Sequence, residues 1–165
     1  MAIYLNTDAA LENYKKLIKS AYFIDKSMIL DNLNNLINTS DSYVCITKPR
    51  RFGKSSIINM LGAYYTKGHN SKDIFDKLNI SKSDSYLENL YKYNVVNIPF
   101  NKMPEKCNNY NDYINMIIES IVNDIKEKYP KVNEKKYFSL SDVFNETNEK
   151  FILIIDEWDY IFSHD

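Results

Sequence analysis

Glycine is scarce: three occur in 165 residues, which excludes glycine-rich repeats and flexible low-complexity linkers and makes each glycine a local structural decision. Cysteine is equally rare. Cys45, on a predicted buried strand, and Cys107, in a polar loop, lack close spacing, so a disulfide scaffold is excluded and free thiols in a reducing compartment are expected. The two histidines, His69 and His164, have no partners at metal-ligand spacing, and no structural metal is expected. The purest apolar run, Phe151-Ile152-Leu153-Ile154-Ile155, is far too short to span a bilayer, and mean hydropathy is -0.45. No basic and apolar leader opens the sequence, so a cytoplasmic protein is expected. A net charge of -1 argues against a large nucleic-acid footprint, since bulk phosphate binding needs a basic face; the basic loop at 48–54 is a local exception.

What is present begins with the one concentrated basic segment. Lys48-Pro49-Arg50-Arg51-Phe52-Gly53-Lys54-Ser55 follows the apolar run Tyr43-Val44-Cys45-Ile46 and precedes a helical pattern. Strand, loop with Gly-Lys-Ser, then helix is an arrangement that holds a nucleoside triphosphate, because consecutive backbone N–H groups and a helix N-terminus face the phosphate oxygens. In this reading Gly53 lets the backbone approach, Lys54 reaches the β- and γ-phosphates, and the Ser55 hydroxyl is a ligand to Mg²⁺. The usual pattern has glycine where this chain has Lys48. Pro49 pushes Lys48 to extended geometry, which moves the special turn to Gly53. The competing reading is a basic surface turn before an ordinary helix.

Elsewhere the periodicity predicts helices and strands in alternation. Asp8 is a cap for a helix carrying Leu11, Tyr14, Leu17 and Ile18; Asp25 is a cap candidate ahead of Met28 to Ile37. The helix after the loop runs to Lys67, with Gly68 as its left-handed stop. Asn94 to Phe100 reads as a strand with Pro99 at its end, and residues 110 to 129 as a long amphipathic helix stopped by Pro130. Ser141 is a candidate cap for a short helix through Asn148. Strands separated by helices imply a parallel sheet covered on both faces, in which the apolar runs at 43–46 and 151–155 are central strands. The expected organisation is one α/β domain of the P-loop NTPase class, with a helical extension at about 8–40 and a nucleotide-binding core at about 43–165.

The strand at 151–155 ends in Asp156-Glu157, placing two carboxylates where open α/β sheets bind ligands. Asp156 is read as holding Mg²⁺ and Glu157 as orienting or deprotonating the water that attacks the γ-phosphate. Alone, an apolar strand ending in two acids is weak; together with the upstream phosphate loop it is a specific pair.

Three blocks in this order, Tyr22-Phe23-Ile24-Asp25-Lys26-Ser27, Lys48 to Ser55, and Leu153-Ile154-Ile155-Asp156-Glu157-Trp158-Asp159, resemble the predicted AAA-ATPase-like family of bacteria. The resemblance covers residues from about 15 to the end. It implies ATP and Mg²⁺ as ligands and phosphate contacts from Arg50, Arg51, Phe52, Gly53, Lys54, Ser55 and the adjoining Ser56. It further implies Mg²⁺ at Ser55 and Asp156, and water activation by Glu157. Arg50 and Arg51 also fit a partner contact or a solvated loop face, and Asp25 is read as a helix cap. Trp158 packs over the site or fills the core; Asp159 is read as a solvated acid.

The family implies longer proteins, in which a polar sensor, an arginine for the γ-phosphate and often a nuclease-like region follow. This sequence ends at Asp165, so the expectation is a part of a longer protein, or a sheet in which the two apolar strands pair directly. Nucleotide binding with slow or absent hydrolysis is therefore expected of this chain alone, since an arginine at the transition state is worth about 10³ to 10⁵ in rate. Two other classes compete: a nucleotide or small-molecule kinase, and a binding-only module whose helices at 8–19 and 110–129 contact a protein partner or a second copy.

Overall fold

Backbone hydrogen bonding decides which apolar runs become strands, because a run without a neighbour leaves its N–H and C=O groups unpaired. In the computed structural model, which describes residues 2–47, 49, 52–104, 107, 109–134 and 139–163, two runs pair. β1 (Asn94–Pro99) and β2 (Phe151–Asp156) form a parallel pair, in register from Asn94 opposite Phe151 to Pro99 opposite Asp156. Seven helices are described: α1 (Ala9–Ile18), α2 (Met28–Asn34), α3 (Lys54–Tyr65), α4 (Lys72–Phe75), α5 (Tyr86–Asn89), α6 (Tyr110–Lys128) and α7 (Leu140–Glu146). Short 3-10 segments lie at Asn79–Lys82, Pro130–Glu134 and Trp158–Ser163. No described helix is long and apolar enough to cross a membrane.

The run at 43–46 is a correction to the sequence reading. It forms no strand; Tyr43 and Val44 are exposed, and Cys45 is exposed too instead of lying on a buried strand. Four apolar residues do not make a strand unless a neighbour supplies the ladder, and no described segment does so here. β2 is likewise not covered on both faces. Ile154 is buried, whereas Leu153 and Ile155 are about half-exposed. A mixed helix and strand architecture with a small parallel sheet is what these residues build.

The chain divides into two units. In the unit Asp8–Lys92, α1 and α3 pack against each other, and aromatic rings fill the interior. Tyr14 stacks on Phe75 with ring centres 5.5 Å apart, and Tyr64 meets Phe75 edge-on at 5.2 Å. The Tyr64 hydroxyl donates to the Tyr86 carbonyl at 2.7 Å, and that of Tyr65 to Asn34 Oδ1 at 2.8 Å, so both polar tips are satisfied inside. The contact of α1 with α3 depends on a glycine. A Cβ placed on Gly62 would lie 2.5 Å from the Cβ of Ala10.

Gly62→Ala is therefore expected to destabilise the chain by about 1–2 kcal/mol, because overpacking of about 1–3 kcal/mol exceeds the gain in helix propensity of about 1 kcal/mol. Denaturant unfolding of Gly62→Ala, Ala10→Gly and the double variant measures it. A coupling energy below about 0.5 kcal/mol, the limit for independent sites, would show that the helices adjust without cost.

The second unit joins Met1–Thr7 to Tyr93–Asp165. α6 lays Tyr113, Ile117, Ile121 and Ile125 onto Tyr4, Leu5, Val96 and Ile98, the stripe expected from its periodicity. Asn109 caps it by accepting the Asp112 N–H at 3.0 Å, and it ends before Pro130. α7 is capped by Ser139, not by Ser141. Ser139 lies three residues before Asp142, so its hydroxyl takes the Asp142 N–H while the Asp142 carboxylate takes its own. Ser141 is followed at that spacing by Phe144, which can return no hydrogen bond.

Candidate functional site

Gly53 is the turning point of the basic loop. Its backbone is left-handed, with φ of 83° and ψ of 26°, a conformation that L side chains resist, and its carbonyl accepts the first helical bond from Ile57 N–H at 3.1 Å. Phe52 N–H closes a turn onto the Pro49 carbonyl at 3.2 Å, and the Phe52 ring is largely exposed. The special turn thus falls where the sequence located it. Lys48, Arg50 and Arg51 lie outside the described residues.

No side chain caps the start of α3, as is also true of α1, α2, α4 and α5, but of the seven described helices it alone has no acidic residue in its first turn, and its first residue is the cation Lys54. Positive charge at the positive end of a helix is unfavourable until an anion arrives. Lys54 and Ser56 are partly exposed and Ser55 is exposed.

Asp25 is not a direct cap of α2; Ser27 occupies the N-cap position. The Asp25 carboxylate accepts the Ser27 N–H at 2.8 Å and the Asn79 N–H at 2.8 Å, while the Ser27 hydroxyl accepts the Ile80 N–H at 3.1 Å. Burial works to raise the Asp25 carboxyl, but the hydrogen bonds from Ser27 and Asn79, with Lys82 nearby, outweigh it and hold the group below the ordinary range. Between these two anchored residues stands Lys26, whose ammonium lies 3.3 Å from where a Cβ on Gly53 would be. Sequence reasoning did not foresee that proximity; the only signal was the position of Lys26 between two clamp-forming side chains.

Asp156 and Glu157 belong to the other unit. Asp156 ends β2 opposite Pro99, and its carbonyl accepts the Phe100 N–H at 3.0 Å. Glu157 then turns into the left-handed region with φ of 55°, and its carbonyl accepts the Tyr160 N–H at 2.9 Å. For a residue other than glycine this conformation costs about 1–2 kcal/mol. Tyr91, with φ of 61°, shares this backbone conformation. Both acids are partly exposed, and Trp158 beside them is about half-exposed, so it is not a core filler.

Among the described residues no group of three or more His, Cys, Asp or Glu side chains could hold a metal by itself. Compared with known proteins, the chain matches over residues 9–164 the family model described as Predicted AAA-ATPase. No curated protein and no solved structure matches it.

Proposed function

The chain belongs to the predicted AAA-ATPase family, and from that premise we propose that it is an Mg²⁺-dependent ATP-binding module with slow hydrolysis of its own. The observation that carries the reading is the start of α3: a left-handed Gly53, no cap, no acid, and Lys54 and Ser55 as its first two residues. Every departure from a stable helix start there suits a polyphosphate.

Lys54 neutralises the β- and γ-phosphate oxygens, and the Gly53 turn brings the N–H groups of the first helical turn to them. Ser55 and Asp156 would hold Mg²⁺, which supplies neutralisation of the phosphate charge. Glu157 takes a proton from the attacking water. Recognition of adenine comes from family membership.

Titration of the full chain with a labelled ATP analogue in the presence of Mg²⁺, with phosphate release followed on ATP, tests this. Binding is expected, with release slower than about 1 per second, the lower edge of typical enzymes. Glu157→Gln should keep the affinity and lower release by about 10²- to 10⁴-fold, the usual contribution of a general base. Glu157→Gly should lose release equally while relieving backbone strain. Unchanged release in Glu157→Gln would leave a binding-only module, phosphate found on a metabolite would indicate a kinase, and no binding would end the reading.

A further inference from the structure

Lys26 has no assigned role, yet its surroundings are specified in detail. The residues on either side are anchored: Asp25 to Asn79, and Ser27, which is fully buried, to Ile80. Asp25 also holds the Ser27 N–H, so the backbone turn across Lys26 is fixed from both ends. Lys26 itself is exposed, and its chain extends until the ammonium stands 3.3 Å from the missing Cβ of Gly53. The absent side chain of Gly53 therefore serves two purposes. It permits φ of 83°, and it leaves the space into which the Lys26 ammonium projects.

As a structural contact this arrangement is unfavourable. Among the described residues no carboxylate pairs with Lys26, and the adjacent Asp25 is committed to two backbone N–H groups. The ammonium faces a helix N-terminus that already begins with Lys54. A cation brought to the positive end of a helix, on a backbone held to keep it there, stabilises nothing until an anion is bound. We propose that Lys26 is a second polyphosphate-binding cation of the loop, delivered over Gly53 by the Asp25 and Ser27 anchors. This rests on the nucleotide reading of the loop and adds a residue to it. The ligand class is a nucleoside triphosphate, whose several negative charges take more than one cation to balance.

The test uses the full chain, a labelled non-hydrolysable ATP analogue and Mg²⁺, with Lys26→Gln, Lys26→Arg and Lys54→Ala side by side. Lys26→Gln is expected to weaken binding about tenfold, as loss of one charge-assisted hydrogen bond does, and Lys26→Arg to stay within about threefold of the parent. The gap between parent and Lys26→Gln should narrow as salt is raised from about 0.1 to 1 M, where screening shortens to about 3 Å. Without nucleotide, Lys26→Gln should melt at the same temperature as the parent or higher. A loss in Lys54→Ala with no loss in Lys26→Gln would overturn the role of Lys26 and leave the nucleotide reading standing. Unchanged affinity in both would remove the reading and the proposal together. A Lys26→Gln protein that melts several degrees lower and is not restored by Lys26→Arg would make the residue structural.

Discussion

Replacing Lys54 by alanine is expected to lower the affinity for Mg²⁺-ATP by about 10- to 100-fold, since hydrogen bonds to charged groups contribute about 1.5–3 kcal/mol. The fold should not suffer. Lys54 opens α3 at the end of the helix where a cation is least favourable, and alanine is the better helix former. A melting temperature equal to or above that of the parent, measured without nucleotide, is therefore the companion result. The two readouts move in opposite directions only if the lysine serves a ligand at the expense of the helix. A matched fall in both would mean that Lys54 holds α3 in place. Retained affinity with a raised melting temperature would remove phosphate binding from this loop. The size of the effect also separates Lys54 from Lys26: the first sits on the helix itself and the second reaches it from another segment, so the loss at Lys54 should be the larger.

The parts of this chain that could be read in advance are those fixed by neighbours in sequence. Tyr113, Ile117, Ile121 and Ile125 recur at helical spacing and are buried on one face of α6, and Pro130 ends that helix because it can supply no N–H. Pro99 closes β1 for the same reason. The left-handed Gly53 was legible because the loop contains one residue able to adopt that conformation without strain. What was not legible depends on distant partners. Whether Tyr43 to Ile46 forms a strand is decided by a ladder neighbour, and the four residues carry no information about one. Asp25 resembled a cap, but its second oxygen is occupied by Asn79, 54 residues away. Lys26 meets Gly53 through the same long-range clamp. The positive φ of Glu157 also escaped notice, since nothing in Asp-Glu-Trp-Asp requires it.

The largest loss of stability is expected from Asp124→Ala, a position that no sequence motif marks. Asp124 lies on α6, is 6% exposed, and its carboxylate accepts three successive backbone N–H groups: Ile3 at 2.9 Å, Tyr4 at 2.7 Å and Leu5 at 3.0 Å. Those contacts hold the N-terminal segment flat enough to pair with β1, where Asn6 N–H donates to the Val95 carbonyl at 2.7 Å and Asn97 N–H to the Tyr4 carbonyl at 3.0 Å. Alanine leaves all three donors without an acceptor. Each buried unsatisfied group costs about 1–3 kcal/mol; with Ile3 open to water, the sum should be about 3–5 kcal/mol. Asn at the same position keeps an oxygen acceptor and should lose about 1–2 kcal/mol, less than alanine but not nothing. Hydrogen exchange at Val95 and Asn97, combined with denaturant unfolding, distinguishes local from global loss. If the segment merely detaches, protection falls at Asn97, whose N–H it accepts, while the amides of α6 keep theirs. If the carboxylate organises the unit, protection falls throughout α6 and β1 together. A change under about 1 kcal/mol in Asp124→Ala would mean that water replaces the carboxylate at all three donors. Tyr4 and Leu5 are buried beside it, with exposures of 9% and 2%, which leaves water no route to them in the folded chain.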